Sequence, residues 1–440
     1  MNELAQDIAR NLLKDDPELD ARIARGIEEH RKGDGVIAVL GPDGRPVPGA
    51  RVSLRQIRHA FHFGCNAFML EQFRDPGKDA DYADIFARTF NLAVCPFYWA
   101  DTEPERGRPR FAKDSPYIYR RPPADLVLEF CERHGIVPKG HPLCWHQMVP
   151  AWAPLDKAGL ARETERRIVE IAERYGRRIR IWDVCNEALE YPVYDVARRV
   201  PDRHVEFAFE VASRVFPETA TLIYNDYACW RNSGEYTPMY MLCRHLRDLP
   251  RVRLGGIGLQ YHQFFRSAED MRPEAEGRLH PRRVLDLLDL YGRIGLPVNI
   301  SEITITARPE LGDGPAFQKA VLERLYRLWF SHPALNGIVY WNLVDDTAYV
   351  RPGGVWDENR YKGGLLNFDL TPKPAYTALQ RLIQKEWRTE TRIEVAPGAD
   401  NRFRGFYGDY EVVIETDRGR CVERLKLARG SINEFTFTLG

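Results

Sequence analysis

The feature that most constrains the fold is a series of eight short apolar runs separated by longer helical patterns. In chain order the runs are FHFGCNAF (61–68), NLAVCPF (91–97), IVPKGHPLCW (136–145), IRIWDVCNE (179–187), ATLIYNDY (220–227), GGIGLQYH (255–262), LPVNISEI (296–303) and LNGIVYWNL (335–343). Each run is apolar throughout instead of alternating, which is typical of strands in a parallel sheet that is buried on both faces. The helical patterns between them include 124–135, 161–176, 281–295 and 315–332. This alternation predicts an α/β protein with a (β/α)8 barrel, the TIM barrel, over residues 59–387.

An open, doubly wound sheet is the alternative arrangement of the same elements. Its first strand is expected to lead into a glycine-rich phosphate loop, and the sequence contains neither GxGxxG nor GxxxxGK[ST]. Most of the runs also end in polar or aromatic residues. Because the carboxyl ends of the strands carry the chemistry of a (β/α)8 barrel, we expect the functional residues at one mouth of the barrel.

The two ends of the chain have different patterns. Residues 1–35 predict an N-terminal helical segment with apolar residues on one side. VIAVL (36–40) and ARVSLRQI (50–57) flank a turn rich in Gly and Pro, so we predict a β-hairpin over 36–58. Residues 388–440 alternate and predict a small accessory β module, of which the hairpin is a candidate part. We interpret this module as a structural cap rather than a sugar-binding appendage.

Composition and charge argue against several kinds of partner. The 63 Lys and Arg residues balance 63 Asp and Glu residues, so no basic surface for nucleic acid is indicated. The N-terminal segment lacks the apolar core of a signal peptide, and no window of about 20 apolar residues indicates a membrane span. We expect no nucleic-acid or membrane partner, and a protein that is cytoplasmic, or secreted if a signal preceding this numbering was removed. The eight cysteines form no CxxC pair, which favours reduced thiols.

Two glutamates, Glu187 and Glu302, each lie at or near the end of one of the apolar runs. By the run count they end the fourth and seventh strands, at the same mouth of the barrel. A carboxylate is costly to bury unless it is paired, hydrogen-bonded or used in chemistry. Two such groups suit glycoside hydrolysis, in which one protonates the leaving oxygen and the other attacks the anomeric carbon or activates water. The alternative is that each glutamate is the ion-pair partner of a nearby arginine.

Several strand ends and one late segment carry recognisable motifs. They are GHPLCWHQMVPAW (140–152), IWDVCNEAL (181–189), IYNDY (223–227), GIGLQYH (256–262), ISEITI (300–305) and NFDLTPKPAYTAL (367–379). Over roughly residues 60–385 the chain thereby resembles glycoside hydrolase family 10, the retaining endo-β-1,4-xylanases. The resemblance implies cleavage of β-1,4-xylosidic bonds in xylan or xylo-oligosaccharides by double displacement through a glycosyl-enzyme intermediate. The implied partner is a carbohydrate substrate.

The resemblance also implies roles for individual residues. Glu187 would be the general acid/base and Glu302 the nucleophile. The expected substrate contacts are Asn186 at the sugar 2-hydroxyl, His146 and Gln260 in the cleaved subsite, His262 beside the nucleophile, Trp341 as a stacking platform, and the aromatic residues Tyr98 and Tyr349. A retaining enzyme is expected to hold its two carboxyl groups about 5–5.5 Å apart.

Histidines near the predicted mouth invite a metal interpretation. His141, His146 and His262 lack the further ligand that a catalytic zinc site needs nearby, and carboxylate catalysis requires no metal. We therefore expect neither a metal nor a cofactor. His141 is equally interpreted as a core histidine, and Asp183 as a hydrogen-bond anchor at the mouth of the barrel.

The chain departs from the family pattern after its second strand. The family has a Glu-Asn pair and a lysine there that bind sugars on the non-reducing side, whereas this chain lacks the pair, has Tyr98 at the lysine position and keeps Trp99. After the eighth strand, Tyr349 stands where the family has a second tryptophan. These changes predict a more apolar pocket. They support the alternative of a β-glycosidase for a different plant-derived glycoside. A carbohydrate-binding barrel without catalysis is a third possibility, and the retention of Asn186, Glu187, Gln260, His262 and Glu302 argues against it.

Overall fold

The computed structural model describes residues 1–189, 200–230, 234–265, 275–351, 353, 356–396, 401–417 and 419–439. Its strands are β1 (Lys32–Leu40), β2 (Arg51–His59), β3 (His62–Asn66), β4 (Leu92–Pro96), β5 (Val137–His141), β6 (Ile181–Asn186), β7 (Thr221–Asp226), β8 (Gly256–Gln260), β9 (Val298–Ile303), β10 (Leu335–Tyr340), β11 (Glu390–Glu394), β12 (Arg402–Phe406), β13 (Gly408–Thr416), β14 (Gly419–Leu427) and β15 (Glu434–Thr438). Its longer α-helices include Glu3–Leu13, Pro17–Arg31, Pro76–Thr89, Ala124–His134, Lys157–Tyr175, His204–Val215, Pro238–Asp248, Pro281–Gly292, Gly314–Ser331 and Pro374–Arg381.

Strands β3 to β10 form a closed barrel in chain order, with β10 beside β3. Neighbouring strands run parallel, and each of the eight apolar runs contains one of them. All five residues of β4 are buried, as expected for a strand that has the barrel interior on one side and helices on the other. The predicted (β/α)8 fold class is therefore confirmed. Because the strands are parallel, their carboxyl ends meet at one mouth.

The chain divides into two compact units, and the barrel belongs to the first: Met1–Lys14, Phe63–Tyr326 and Ala334–Thr377. Several of its helices begin at an aspartate whose side chain accepts backbone hydrogen bonds, for example Asp75 and Asp156. Among the residues that the structure describes, none of the helices is both long enough and apolar enough to cross a membrane.

The segment predicted as helical over 1–35 contains two helices. Asp16 separates them because its side chain caps the second helix by accepting from the Leu19 amide, and Pro17 occupies the first turn of that helix. The first helix belongs to the unit that holds the barrel, and the second belongs to the other unit.

The second unit consists of Asp15–His62, Arg327–Pro333 and Ala378–Gly440 and contains two sheets. Strands β1 and β2 do not pair as the predicted hairpin. β1 lies between β12 and β15, whereas β2 lies between β11 and β13 in the other sheet. The turn after β1 brings Pro46 back beside Leu40, but β2 then finds its partners in the C-terminal part of the chain. The core of this unit combines N-terminal residues such as Leu54 with C-terminal ones such as Val412.

Candidate active site

The carboxyl ends of the barrel strands and the segments that follow them surround an open cleft with a volume of about 790 Å³. Eight of the nine side chains that the sequence predicts for the site line this cleft: Tyr98, Asn186, Glu187, Gln260, His262, Glu302, Trp341 and Tyr349. The ninth, His146, lines a smaller cavity together with Trp99 and His204. Burial, with a smaller contribution from His204, lowers the pKa of His146 to about 4, so this imidazole is neutral near pH 7.

Glu187 directly follows β6 and has a φ angle of 52°, a left-handed conformation that residues other than glycine seldom adopt. Its amide donates to the Asn225 carbonyl oxygen at 2.9 Å, which holds the strained turn in place. Burial, followed by the negative charges of Glu302 and Asp226, raises the pKa of Glu187 to about 8, although the hydrogen bond from Gln260 opposes the shift. The Glu187 carboxyl is therefore mainly protonated at neutral pH.

Glu302 lies on β9, and nitrogen atoms of Asn225, His141 and His262 lie near its two carboxyl oxygens. Its Oε1 accepts from Asn225 Nδ2 at 2.8 Å, and His141 Nε2 lies 3.9 Å from the same oxygen. Its Oε2 lies 3.2 Å from His262 Nε2, while His262 Nδ1 lies 3.0 Å from the Thr304 hydroxyl. If Nε2 carries the proton, the imidazole donates to Glu302 and accepts from Thr304.

A chain of amide side chains joins the two carboxyl groups. Gln260 Nε2 donates to Glu187 Oε1 at 3.0 Å and to Asn186 Oδ1 at 3.2 Å. Asn225 Nδ2 donates to the same Asn186 oxygen at 2.8 Å and to Glu302. Sequence reasoning missed Asn225, although it lies within the motif IYNDY at the end of β7, where a polar residue in an apolar run was the available signal.

A second buried cluster supports His141 at the end of β5. Its Nδ1 lies 2.8 Å from Asp183 Oδ2, and Lys139 Nζ lies 2.9 Å from the same oxygen. Burial acts to raise the pKa of Asp183, but the charge of Lys139 and the hydrogen bond from His141 outweigh it and hold the pKa below its ordinary value. An ionised Asp183 favours the tautomer that carries its proton on His141 Nδ1, which leaves the Nε2 that faces Glu302 without a proton. The sequence did not decide whether His141 is a core residue. In the structure His141 lines the cleft.

Two glycines leave room for the side chains of neighbouring strands. A Cβ atom at Gly258 of β8 would overlap the Asn225 amide oxygen, and one at Gly140 of β5 would overlap the ring of Trp182. Gly140 directly precedes His141, and Asn225 contacts Glu302. The glycines are therefore part of what positions the polar groups of the site.

Aromatic rings form one wall of the cleft. The Trp341 ring is perpendicular to His141 and to Phe68, with centroid distances of 5.2 and 5.4 Å. The Tyr98 ring contacts His141 with a centroid distance of 5.5 Å and Phe68 with one of 5.8 Å. It also contacts Trp145 at 5.6 Å. Flat, rigid rings of this kind suit the C–H faces of sugars. Phe68 and Trp145 were not assigned to the site from the sequence.

Within the described part of the chain, no group of three His, Cys, Asp or Glu side chains is arranged to hold a metal ion. The chemistry available in the cleft is that of a protonated carboxyl and a second carboxyl that accepts hydrogen bonds. A (β/α)8 barrel that carries this pair at its carboxyl-terminal mouth belongs to the class of glycoside hydrolases. The profile of the family described as Glycosyl hydrolase family 10 matches residues 57–382. The chain therefore belongs to that family.

Individual relatives and one solved structure are similar to this chain. Endo-1,4-beta-xylanase 2 of Arabidopsis thaliana is 26% identical over 413 residues, which is 91% of this chain and 34% of that protein. Anti-sigma-I factor RsgI6 of Acetivibrio thermocellus is 26% identical over 416 residues, which is 92% of this chain and 48% of that protein. The chain thus spans about a third to a half of the length of these curated relatives. The crystal structure of xylanase 10B from Thermotoga petrophila in complex with xylobiose matches in fold, with a TM-score of 0.56, 22% identity, and coverage of 74% of this chain and 95% of that chain.

Proposed function

We propose that this chain is a retaining glycoside hydrolase that cleaves β-1,4-xylosidic bonds in xylan or xylo-oligosaccharides. The observation that carries the proposal is the contrast between its two carboxyl groups. Glu187 has a pKa raised to about 8, whereas Glu302 accepts a hydrogen bond from Asn225 and faces His262. One group is thereby suited to give a proton at neutral pH and the other to act as a nucleophile. Family membership and the xylanase name of the Arabidopsis relative support xylan as the substrate.

In the first step, a Glu302 oxygen attacks the anomeric carbon as the bond to the leaving oxygen breaks. The Glu187 proton passes to that oxygen, so the leaving sugar departs as a neutral alcohol and the glycone stays bound to Glu302 as an ester. Asn186, held by Gln260 and Asn225, is the candidate partner of the sugar 2-hydroxyl. Trp341 supplies the flat surface for the sugar ring.

In the second step, Glu187 takes a proton from water while the water oxygen attacks the anomeric carbon and releases Glu302. The change of role follows from electrostatics. The negative charge of Glu302 is one cause of the raised pKa of Glu187, and that charge disappears when the ester forms. The pKa of Glu187 consequently falls in the intermediate, which favours the carboxylate that the second step needs.

The test is product release on xylan, xylo-oligosaccharides, cello-oligosaccharides and aryl β-xylosides. Glu302→Gln is expected to abolish turnover on every substrate while binding persists. Glu187→Ala is expected to slow xylo-oligosaccharide cleavage by about 10²- to 10⁴-fold, and to slow a dinitrophenyl xyloside much less, because that leaving group needs no proton. Proton NMR of the first-formed sugar is expected to show the β anomer.

Glu132→Gln is the matched control because Glu132 is an exposed helical glutamate that pairs with Arg178. It is expected to leave every rate unchanged. Activity that survives in Glu302→Gln contradicts the assignment of the nucleophile, and equal losses on both leaving groups in Glu187→Ala contradict the assignment of the acid. Turnover of aryl glycosides without cleavage of xylan favours a different natural glycoside. Binding without any turnover favours a carbohydrate-binding barrel.

A further inference from the structure

The cleft carries a group of positive charges that the reaction above does not use. Four arginines line it, Arg120, Arg121, Arg278 and Arg351, against three glutamates, Glu187, Glu302 and Glu358. Arg121 is paired with Asp101, so with Glu187 mainly protonated below pH 8 the three other arginines of the lining face Glu302 and Glu358. The sequence predicted a more apolar pocket and gave no sign of this cluster, since the arginines come from three separate segments of the chain, at 120–121, 278 and 351.

Arg120 is the most informative of the four. It is 4% exposed, and its guanidinium bonds only neutral acceptors, the Asn342 side-chain oxygen at 3.1 Å and the Thr347 carbonyl. Among the described residues its buried Nε has no hydrogen-bond partner. Arg120 forms no ion pair within 4.0 Å there, and the charge of Glu358 favours its charged form from a longer distance. Burying a charge without a charged partner is costly. An anion in the cleft would relieve this cost.

Arg121 stands beside Arg120 at the same wall of the cleft. Its guanidinium lies 4.1 Å from the centroid of the Tyr98 ring. The guanidinium groups of Arg121 and Arg120 each lie 5.7 Å from the centroid of the Phe68 ring. The Nε of Arg121 bonds Asp101 at 2.6 Å, which orients the guanidinium fork over the Tyr98 ring. Its Nη1 donates to the Arg120 carbonyl at 3.0 Å, so Nη2, which has no hydrogen bond within the described residues, is the group left to bind a carboxylate.

The position of Arg120 and Arg121 indicates which of the two sugars joined by the cleaved bond they can contact. Tyr98, below Arg121, contacts His141, and His141 lies 3.9 Å from Glu302. The charge of Glu302 also acts on Tyr98 more strongly than that of Glu187 does, so the arginines lie nearer to the nucleophile. The sugar ring over the nucleophile is the glycone, whereas the leaving sugar lies toward the acid Glu187.

We propose that Arg120 and Arg121 recognise a carboxylate on the glycone, so that the preferred substrate carries a uronic acid on the non-reducing side of the cleaved bond. This inference rests on the retaining mechanism of the proposed function; a hexuronic acid glycone keeps that mechanism but changes the sugar whose bond is cleaved. Two substrates supply the same chemistry: a β-linked hexuronic acid as the glycone itself, and a xylose that bears a uronic acid branch. A neutral xylan chain offers no counter-charge to the buried Arg120.

The experiment compares matched acidic and neutral substrates on the whole chain. One pair is 4-nitrophenyl β-glucuronide and 4-nitrophenyl β-glucoside, which differ only in a carboxylate against a hydroxymethyl group. The other pair is xylotriose with and without a glucuronic acid branch on its non-reducing xylose. In at least one pair, wild type is expected to favour the acidic member by about tenfold or more in kcat/KM. Arg121→Gln is expected to lower kcat/KM for that acidic member by about 10- to 100-fold, the range of one charge-assisted contact, and to change the neutral member less than threefold.

Arg120→Lys keeps the buried charge but removes the planar fork, so it tests the second arginine with less risk to folding; near-ultraviolet circular dichroism checks the fold. It is expected to reduce the preference for the acidic member. Arg178→Gln, at an exposed arginine that pairs with Glu132, is the control and is expected to leave the preference unchanged.

Two results overturn the inference: wild type that does not favour the acidic member of either pair, and an Arg121→Gln variant that loses acidic and neutral activity equally. If neutral substrates are cleaved in a Glu302-dependent manner in either case, the proposed function stands and only the inference fails. If no glycoside is cleaved, the proposed function fails. Calorimetric titration then compares the affinity of the chain for xylotriose with and without the glucuronic acid branch. Equal affinities for the two overturn the inference.

Discussion

The raised pKa of Glu187 predicts that this residue destabilises the folded chain at alkaline pH, and that Glu187→Gln relieves the cost. Burial, with the charges of Glu302 and Asp226, moves its pKa from 4.5 to about 8. Below pH 4.5 the carboxyl is protonated in both the folded and unfolded chain and has no effect on pH dependence. Between these values the unfolded chain releases the proton while the folded chain keeps it, so stability falls as pH rises, and the full cost is present above pH 8.

The size of the effect follows from the same shift. Each pKa unit corresponds to about 1.4 kcal/mol, so the shift of Glu187 sets an upper limit of about 5 kcal/mol. The residue borders an open cleft, and solvent screening there reduces the expected gain to about 2–4 kcal/mol. Glutamine keeps the oxygen that accepts from Gln260 and has no charge at any pH.

The assay is urea unfolding followed by tryptophan fluorescence at pH 5 and pH 8.5. The difference in free energy of unfolding between Glu187→Gln and wild type is expected to be larger at pH 8.5 by the stated amount. Glu310→Gln is the control, at a glutamate whose pKa is shifted in the opposite direction. The hydrogen bond from Arg308 lowers the pKa of Glu310 to about 2, so its stabilising contribution is nearly complete by pH 5, and Glu310→Gln is expected to destabilise the chain by nearly the same amount at both pH values. A Glu187→Gln effect that is independent of pH, or that destabilises at pH 8.5, refutes the reasoning.

Two further predictions concern activity. Gly258→Ala is expected to lower kcat/KM on an aryl xyloside by about 10- to 100-fold, because the new methyl group displaces the Asn225 amide that donates to Glu302; steady-state kinetics check this, and an unchanged rate in a folded variant contradicts the positioning role. The kcat/KM of wild type is expected to fall above pH 8 as Glu187 loses its proton, and a pH profile of Glu187→Ala on an activated aryl xyloside is expected to lack that limb. If the fall in kcat/KM above pH 8 persists in Glu187→Ala, it belongs to the titration of another group.

The barrel was predictable because its strands are marked by local composition. Runs that are apolar throughout, such as the one that contains β4, leave few alternatives to a strand buried on both faces. The 36–58 hairpin was predicted from equally local signals and was wrong. A turn signal shows that the chain reverses, but it does not show which strands become partners. Here β1 and β2 take their partners from residues after 389, and sequence spacing carries no information about such distant pairing.

In the candidate site, too, some residues were predictable from local sequence and others were not. Glu187 and Glu302 were predictable because a carboxylate at the end of an apolar run is unusual, whereas the position of His146 was not. His141 is the last residue of β5 and lines the cleft, and His146 lies five residues later in a short 3-10 helix that turns its ring into another cavity. Arg120 was invisible for a further reason, since arginines before a helix are ordinarily surface residues. Only the folded chain shows this one to be buried.

The features that lower the stability of this fold, namely backbone strain and buried ionisable groups, are concentrated around its two carboxyl groups. Glu187 has a left-handed backbone, and its side chain gives up a proton about 3 to 4 pH units later than a free glutamate does. Arg120 is buried without a carboxylate partner. A chain selected for stability alone would have glutamine at 187 and an apolar residue at 120. The burial that destabilises Glu187 is also what keeps its proton available at neutral pH, so the stability cost and the acid function have one physical origin. If Arg120 follows the same rule, its cost is recovered only when an anion is bound, which links the stability of the cleft to the charge of its substrate.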